Sequence, residues 1–123
     1  LSVYGTDYAT RDGTCVRDYI HVSDLATAHT LALDHLRAGE AGMTLNCAYG
    51  HGATVLEVLD AVKRVSGVDF PIRFAPRRAG DPAEIVARGD RIKTALGWTP
   101  RYDDLDTIIR HALAFEAKRN TLA

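Results

Sequence analysis

Short strand-like stretches open the chain before any helical periodicity begins. Residues 1–4 read as a strand, and Gly5, Asp7, Asp12 and Gly13 mark a polar loop or hairpin. Residues 15–22 return to strand chemistry, with Val16, Ile20 and Val22 β-branched and Tyr19 among them. Ser23 and Asp24 then offer an N-cap and a first-turn acid for a helix of about four turns. Leu25, Ala28, Ala32 and Leu36 recur at three or four, the spacing of one buried stripe, and Gly39 and Gly42 end it. Residues 43–49 alternate in a way that predicts a strand. Thr54 with Glu57 predicts a capping box heading a second helix, with Val55, Val58, Leu59, Val62 and Val65 inward and Gly67 as the stop. Residues 70–75 suit an edge strand because Pro71 stands near the start. Residues 76–82 form a loop and residues 85–87 add a strand. Asp90 is placed to cap a short helix that Gly97 ends. Asp103 or Asp104 opens the last one, with Leu105, Ile108, Ile109, Ala112 and Phe115 inward and Lys118 and Arg119 complementing its dipole. Strands and helices interleave, so the predicted class is α/β with α+β character: short strands, about four helices and no sheet-building βαβ series.

Length and composition narrow the function. A chain of 123 residues suits one domain, residues 1–123, and buries roughly two-thirds of its unfolded surface. Apolar residues at 46% and charged residues at 25% mark a globular chain rather than a disordered one. Fifteen Lys/Arg against sixteen Asp/Glu, a net charge of -1, argue against a nucleic-acid binder, which needs basic excess. The longest apolar run is residues 112–115, too short to span a bilayer. Cys15 and Cys47 cannot build a disulfide scaffold and are expected to be small buried residues in a cytoplasmic, reducing setting. Leu1 stands where a Met would begin a chain, so this sequence is expected to be a piece of a longer protein.

Most chemical signatures fail on spacing. Gly50-His51-Gly52-Ala53-Thr54-Val55 follows a predicted strand and opens a helix, but Val55 replaces the third glycine of a dinucleotide fingerprint. A tight strand-to-helix turn is the expected reading. His29 and His35 fall on different helix faces, and His21 and His111 read as structural imidazoles, so no metal site is expected. No Tyr is followed by Lys four residues later, which excludes the proton-transfer pair of short-chain redox enzymes, and no catalytic residue is assigned. What remains is arginine: Arg17 inside Val16-Arg17-Asp18-Tyr19, and Arg77-Arg78 ahead of Gly80-Asp81. Guanidinium groups make planar paired hydrogen bonds to phosphate, and Asp81 can accept from a ribose hydroxyl or orient an arginine. The competing reading pairs Arg17 with Asp18 and leaves Arg77-Arg78 in a solvated loop.

The same residues carry a resemblance. The stretch from Val3-Tyr4-Gly5 through Asp12-Gly13-Thr14-Cys15-Val16-Arg17-Asp18-Tyr19-Ile20-His21-Val22, with Ala75-Pro76-Arg77-Arg78, Gly80-Asp81 and Leu96-Gly97-Trp98, resembles the C-terminal part of bacterial UDP-glucose 4-epimerases. These belong to the extended short-chain dehydrogenase/reductase superfamily. The resemblance implies the small substrate-binding portion of such an enzyme, with an N-terminal Rossmann domain outside this chain holding NAD. It further implies that Arg17 and Arg78 bind the diphosphate, that Asp81 meets the ribose, and that Val3 and Tyr4 line the uridine site. UDP-glucose and UDP-galactose would interconvert through a 4-keto intermediate, in an intact protein that forms a homodimer. Glu84, Ile85 and Arg88 depart from the family pattern after Gly-Asp. A sister epimerase for UDP-pentose or UDP-N-acetylhexosamine, and a non-catalytic nucleotide-sugar module, stand as alternatives.

Overall fold

In chain order, the computed structural model, described here for residues 1–121, runs β1 (Ser2–Tyr4), β2 (Val16–Arg17), α1 (Val22–Arg37), β3 (Ala53–Thr54), α2 (Val55–Ser66), β4 (Arg73–Ala75), β5 (Glu84–Ile85), α3 (Asp90–Leu96) and α4 (Leu105–Thr121). The mixed class and the four helices match the sequence pattern. Two small sheets replace any long one: β1 pairs with β4 in parallel, and β2 lies between antiparallel β3 and parallel β5.

Local chemistry explains most of the boundaries. The Thr54 hydroxyl accepts from the Glu57 N–H at 3.1 Å while the Glu57 carboxylate accepts from the Thr54 N–H at 2.8 Å, the reciprocal cap predicted for α2. Gly67 and Gly97 end α2 and α3 in the left-handed region, where a side chain would be strained. The Asp104 carboxylate accepts from the Thr107 N–H at 2.8 Å and so heads α4. Behind the cap of α2, Asp12 accepts from Thr14 and from the Thr54 hydroxyl. Burial by itself would raise the Asp12 carboxyl, but these bonds outweigh it and hold its pKa below the ordinary value. Thr54→Ala removes both the cap and a partner of Asp12. It should cost about 1–2 kcal/mol, read as a lower urea midpoint at unchanged slope.

Several expectations need correction. Residues 18–22 leave the strand early, and His21 rather than Ser23 caps α1: its Nδ1 accepts from the Ser23 N–H at 3.0 Å. Residues 43–49 form no strand, because they pack by side chain, with Ala48 and Tyr49 buried, instead of pairing with a neighbour. Asp90 is the first residue of α3 and makes no cap; Gly89 precedes it with no side-chain bond. Ala112 and Phe115 are exposed: beyond Ile109, α4 meets the rest of the fold through His111, whose Nδ1 lies 2.9 Å from His21 Nε2, and the stripe itself is left uncovered among the described residues. Leu36 of the α1 stripe is also exposed, and Cys47 is half-buried whereas Cys15 is buried.

One core cluster gathers Ala28, Tyr49, Ile92 and Trp98, flanked by Ile20, Leu31, Leu45, Leu96 and Ile108. At its centre Asp24 is 2% exposed. Its carboxylate accepts from the Tyr49 hydroxyl at 2.6 Å and from the N–H groups of Arg101 and Tyr102 at 3.0 and 2.9 Å. Its carbonyl accepts from Trp98 Nε1 at 3.0 Å. One residue thereby ties α1 to the turn before α4.

Candidate functional site

The pairing of β1 with β4 brings two distant loops side by side. Residues 5–14 leave β1 and residues 76–83 leave β4, and the Gly5 N–H reaches the Ala75 carbonyl at 2.8 Å. Arg78 Nε donates to Asp81 at 2.9 Å, and its guanidinium lies over the Tyr4 ring, 4.9 Å from the centroid. Hydrogen bonding to Asp81 raises the already high Arg78 pKa further, so the cation is permanent. Three of the sequence-predicted residues, Tyr4, Arg78 and Asp81, therefore meet.

Val3 does not join them. Strand alternation turns it away from Tyr4, and its side chain is 1% exposed in the core. The structure therefore does not bring the Val3 side chain together with Tyr4, Arg78 and Asp81.

Arg17 stands apart from Arg78 and is free in a different sense. It is half-buried on β2, donates only to the Val16 carbonyl at 2.7 Å, and makes no ion pair among the described residues. Asp18, the alternative partner, instead accepts from the Ala87 N–H at 3.0 Å. Burial pushes the Tyr19 phenol up, with the Arg17 charge opposing the rise. Cys15 is the neighbour of Tyr8, which in turn feels Asp81 and Arg77.

Arg77 is bound differently from Arg78. It donates to the Asp7 carboxylate at 2.6 Å and to the Asp7 carbonyl, and its guanidinium lies 4.0 Å from the centre of the Tyr8 ring. Beside it opens a concavity of about 580 Å³ lined by Gly5, Thr6, Asp7, Phe74, Ala75 and Pro76. Asp7 and Tyr8 were not singled out from the sequence. An aromatic residue set among polar loop positions was the available signal.

The head of α2 offers no second anion site. Its N–H groups are already taken: Val55 by the Cys15 carbonyl at 3.1 Å, Leu56 by the Thr14 hydroxyl at 3.3 Å, Glu57 by Thr54. A Cβ built on Gly52 would come within 2.7 Å of both Val16 and Val86. The glycine turn therefore serves close packing, and a dinucleotide pyrophosphate finds neither donors nor room there.

The profile of the NAD dependent epimerase/dehydratase family matches residues 2–48. The UDP-glucose 4-epimerase of Azospirillum brasilense is 57% identical over 94% of this chain and 33% of its own length. This chain is homologous to the UDP-glucose 4-epimerases. Among solved epimerases, that of Stenotrophomonas maltophila, with bound NAD and formylated UDP-arabinopyranose, superposes with a TM-score of 0.93 at 42% identity, covering 100% of this chain and 36% of that one. The Bifidobacterium longum epimerase, in complex with NAD+ and UDP, gives 0.86 at 40% identity over 95% of this chain and 34% of that one. The chain spans about a third of the length of the epimerases it matches.

Proposed function

We propose that residues 1–123 are the UDP-sugar-binding portion of an NAD-dependent UDP-glucose 4-epimerase, with NAD held by a Rossmann domain outside this chain. The observation that carries the reading is Arg17: a half-buried guanidinium that donates to the Val16 carbonyl and has no carboxylate partner among the described residues. A cation in that state favours an anion. The diphosphate of a UDP-sugar supplies one, shared by Arg17 and Arg78, with Asp81 turned to the ribose and Tyr4 flanking the uracil.

Epimerisation at C4 gives this anchor its purpose. The hexose must present either face to the redox centre without leaving, so its own contacts must be loose. Binding energy then has to come from the non-reacting nucleotide. NAD supplies the hydride chemistry when bound elsewhere in the protein, and the residues here do not fit it, as the occupied head of α2 illustrates. No helix among the described residues is long and apolar enough to cross a membrane. The same reading carries a homodimer for the intact enzyme and a cytoplasmic location. It also gives the exposed Val22 and Phe115 a cover in the remaining domain.

A graft tests it. Substituting this chain for the matching third of the Azospirillum brasilense enzyme should retain conversion of UDP-galactose to UDP-glucose. A folded, NAD-loaded graft without that activity would overturn the reading. Faster turnover of UDP-pentose or UDP-N-acetylhexosamine by the same graft would reassign the sugar.

A further inference from the structure

We propose that Tyr8 is a positioning residue: its buried ring holds Arg77, and Arg77 in turn fixes the loop that presents Arg78 and Asp81 to a nucleoside diphosphate. This rests on the reading of the site given above and adds residues with no role in it.

The argument is one of tethering. The 78–81 turn closes on itself, through the Arg78–Asp81 pair and the Asp81 N–H to the Arg78 carbonyl at 3.4 Å. Outside the turn, the Arg78 guanidinium rests over the Tyr4 ring of β1. The next firm tie after it is the Val16 N–H to the Ala83 carbonyl at 2.8 Å, and the last before it is the Gly5 N–H to Ala75. Between these points Arg77 is the residue whose side chain is bound to another loop by hydrogen bonds, to both the carboxylate and the carbonyl of Asp7. A planar guanidinium held on two acceptors and laid on an aromatic face has little freedom left.

The platform beneath it is equally constrained. Tyr8 is 6% exposed. A Cβ on Gly5 would fall 2.4 Å from Tyr8 Cε2 and 2.8 Å from Arg77 Cγ, and Gly5 has φ +82°, so main chain, ring and arginine stem fill one another's space. The Tyr8 hydroxyl is buried without a hydrogen-bond partner among the described residues. The ring is therefore what the site uses, and a hydroxyl lacking a partner contributes nothing that its loss would remove.

This separation makes the proposal testable in the grafted epimerase by titration with UDP and with uridine. Tyr8→Leu and Arg77→Ala should each weaken UDP about tenfold, should not weaken it further when combined, and should weaken uridine less, because uridine loses only the Asp81 contact at the ribose and has no diphosphate for Arg78. Tyr8→Phe should bind UDP like the parent. In the grafted epimerase the same variants should raise KM and leave kcat in place. Arg77 is partly exposed, so Arg77→Ala carries the test if Tyr8→Leu does not fold. Equal losses for UDP and uridine, or Tyr8→Phe behaving like Tyr8→Leu, would overturn the proposal. So would Arg77→Ala weakening UDP while Tyr8→Leu does not, which would make Arg77 a direct contact. Arg78→Ala separates the two levels: if it leaves UDP affinity intact, the site itself is misread, whereas a loss there beside a normal Tyr8→Leu sinks only the tether.

Discussion

Asp24→Ala should cost about 3–5 kcal/mol and leave much of the chain unfolded at room temperature, since domains of this size hold only about 5–15 kcal/mol in all. Three donors converge on that carboxylate: the Tyr49 hydroxyl and the N–H groups of Arg101 and Tyr102. Removing it leaves buried donors without acceptors, at about 1–3 kcal/mol for each group so stranded. Urea unfolding followed by circular dichroism measures the loss, and a change below about 1 kcal/mol would deny Asp24 its central place. The pH dependence has a definite sign. Burial alone would raise the Asp24 carboxyl, but the three hydrogen bonds outweigh it and its folded pKa lies below the ordinary 3.8. The contribution is therefore fully present above the unfolded value and is lost as pH falls from about 4 through the folded pKa. Asp12 is shifted the same way and adds to the acid loss. Asp24→Asn should flatten that part of the profile, because an amide has no proton to take up there.

What the sequence revealed and what it hid follow from the range of each interaction. The Thr54–Glu57 box, the glycine stops and the Asp104 start are decided within four residues, and all stand as read. Asp24 was read as a helix-dipole acid because local rules see only its own turn. Its partners lie 25, 77 and 78 residues away. Residues 43–49 carry strand-like composition, yet strand identity needs a neighbour to pair with, and their burial comes from Tyr49 and Ala48 instead. Phe115 fits the inward stripe of α4 by periodicity, but a stripe is buried only as far as another element lies against it. In the site, the arginines and Asp81 were visible as chemistry. That Arg77 and Arg78 differ was not, because Asp7 and Tyr8 reach Arg77 across 70 and 69 positions of chain.

Arg17→Ala should weaken UDP more than Arg78→Ala, by about ten- to a hundredfold for a charged hydrogen-bonded contact worth about 1.5–3 kcal/mol. The ranking comes from what each side chain does before a ligand arrives. Arg78 has Asp81 as a partner at 2.9 Å and a side chain 63% exposed, so part of its attraction for phosphate is spent on a carboxylate and screened by water. Arg17 is half-buried on β2 with only the Val16 carbonyl as acceptor, so a phosphate oxygen would meet a cation that gives up nothing to receive it. Arg17→Lys should recover part of the loss, since the charge returns without the planar fork. In the grafted epimerase both alanine variants should act on KM and spare kcat, because the diphosphate is held alike before and during hydride transfer at the remote C4. Calorimetric titration with UDP at two salt concentrations decides the matter. Equal losses for the two arginines would mean that pairing with Asp81 does not temper Arg78, and no loss for Arg17→Ala would remove the anchor on which the proposed function stands.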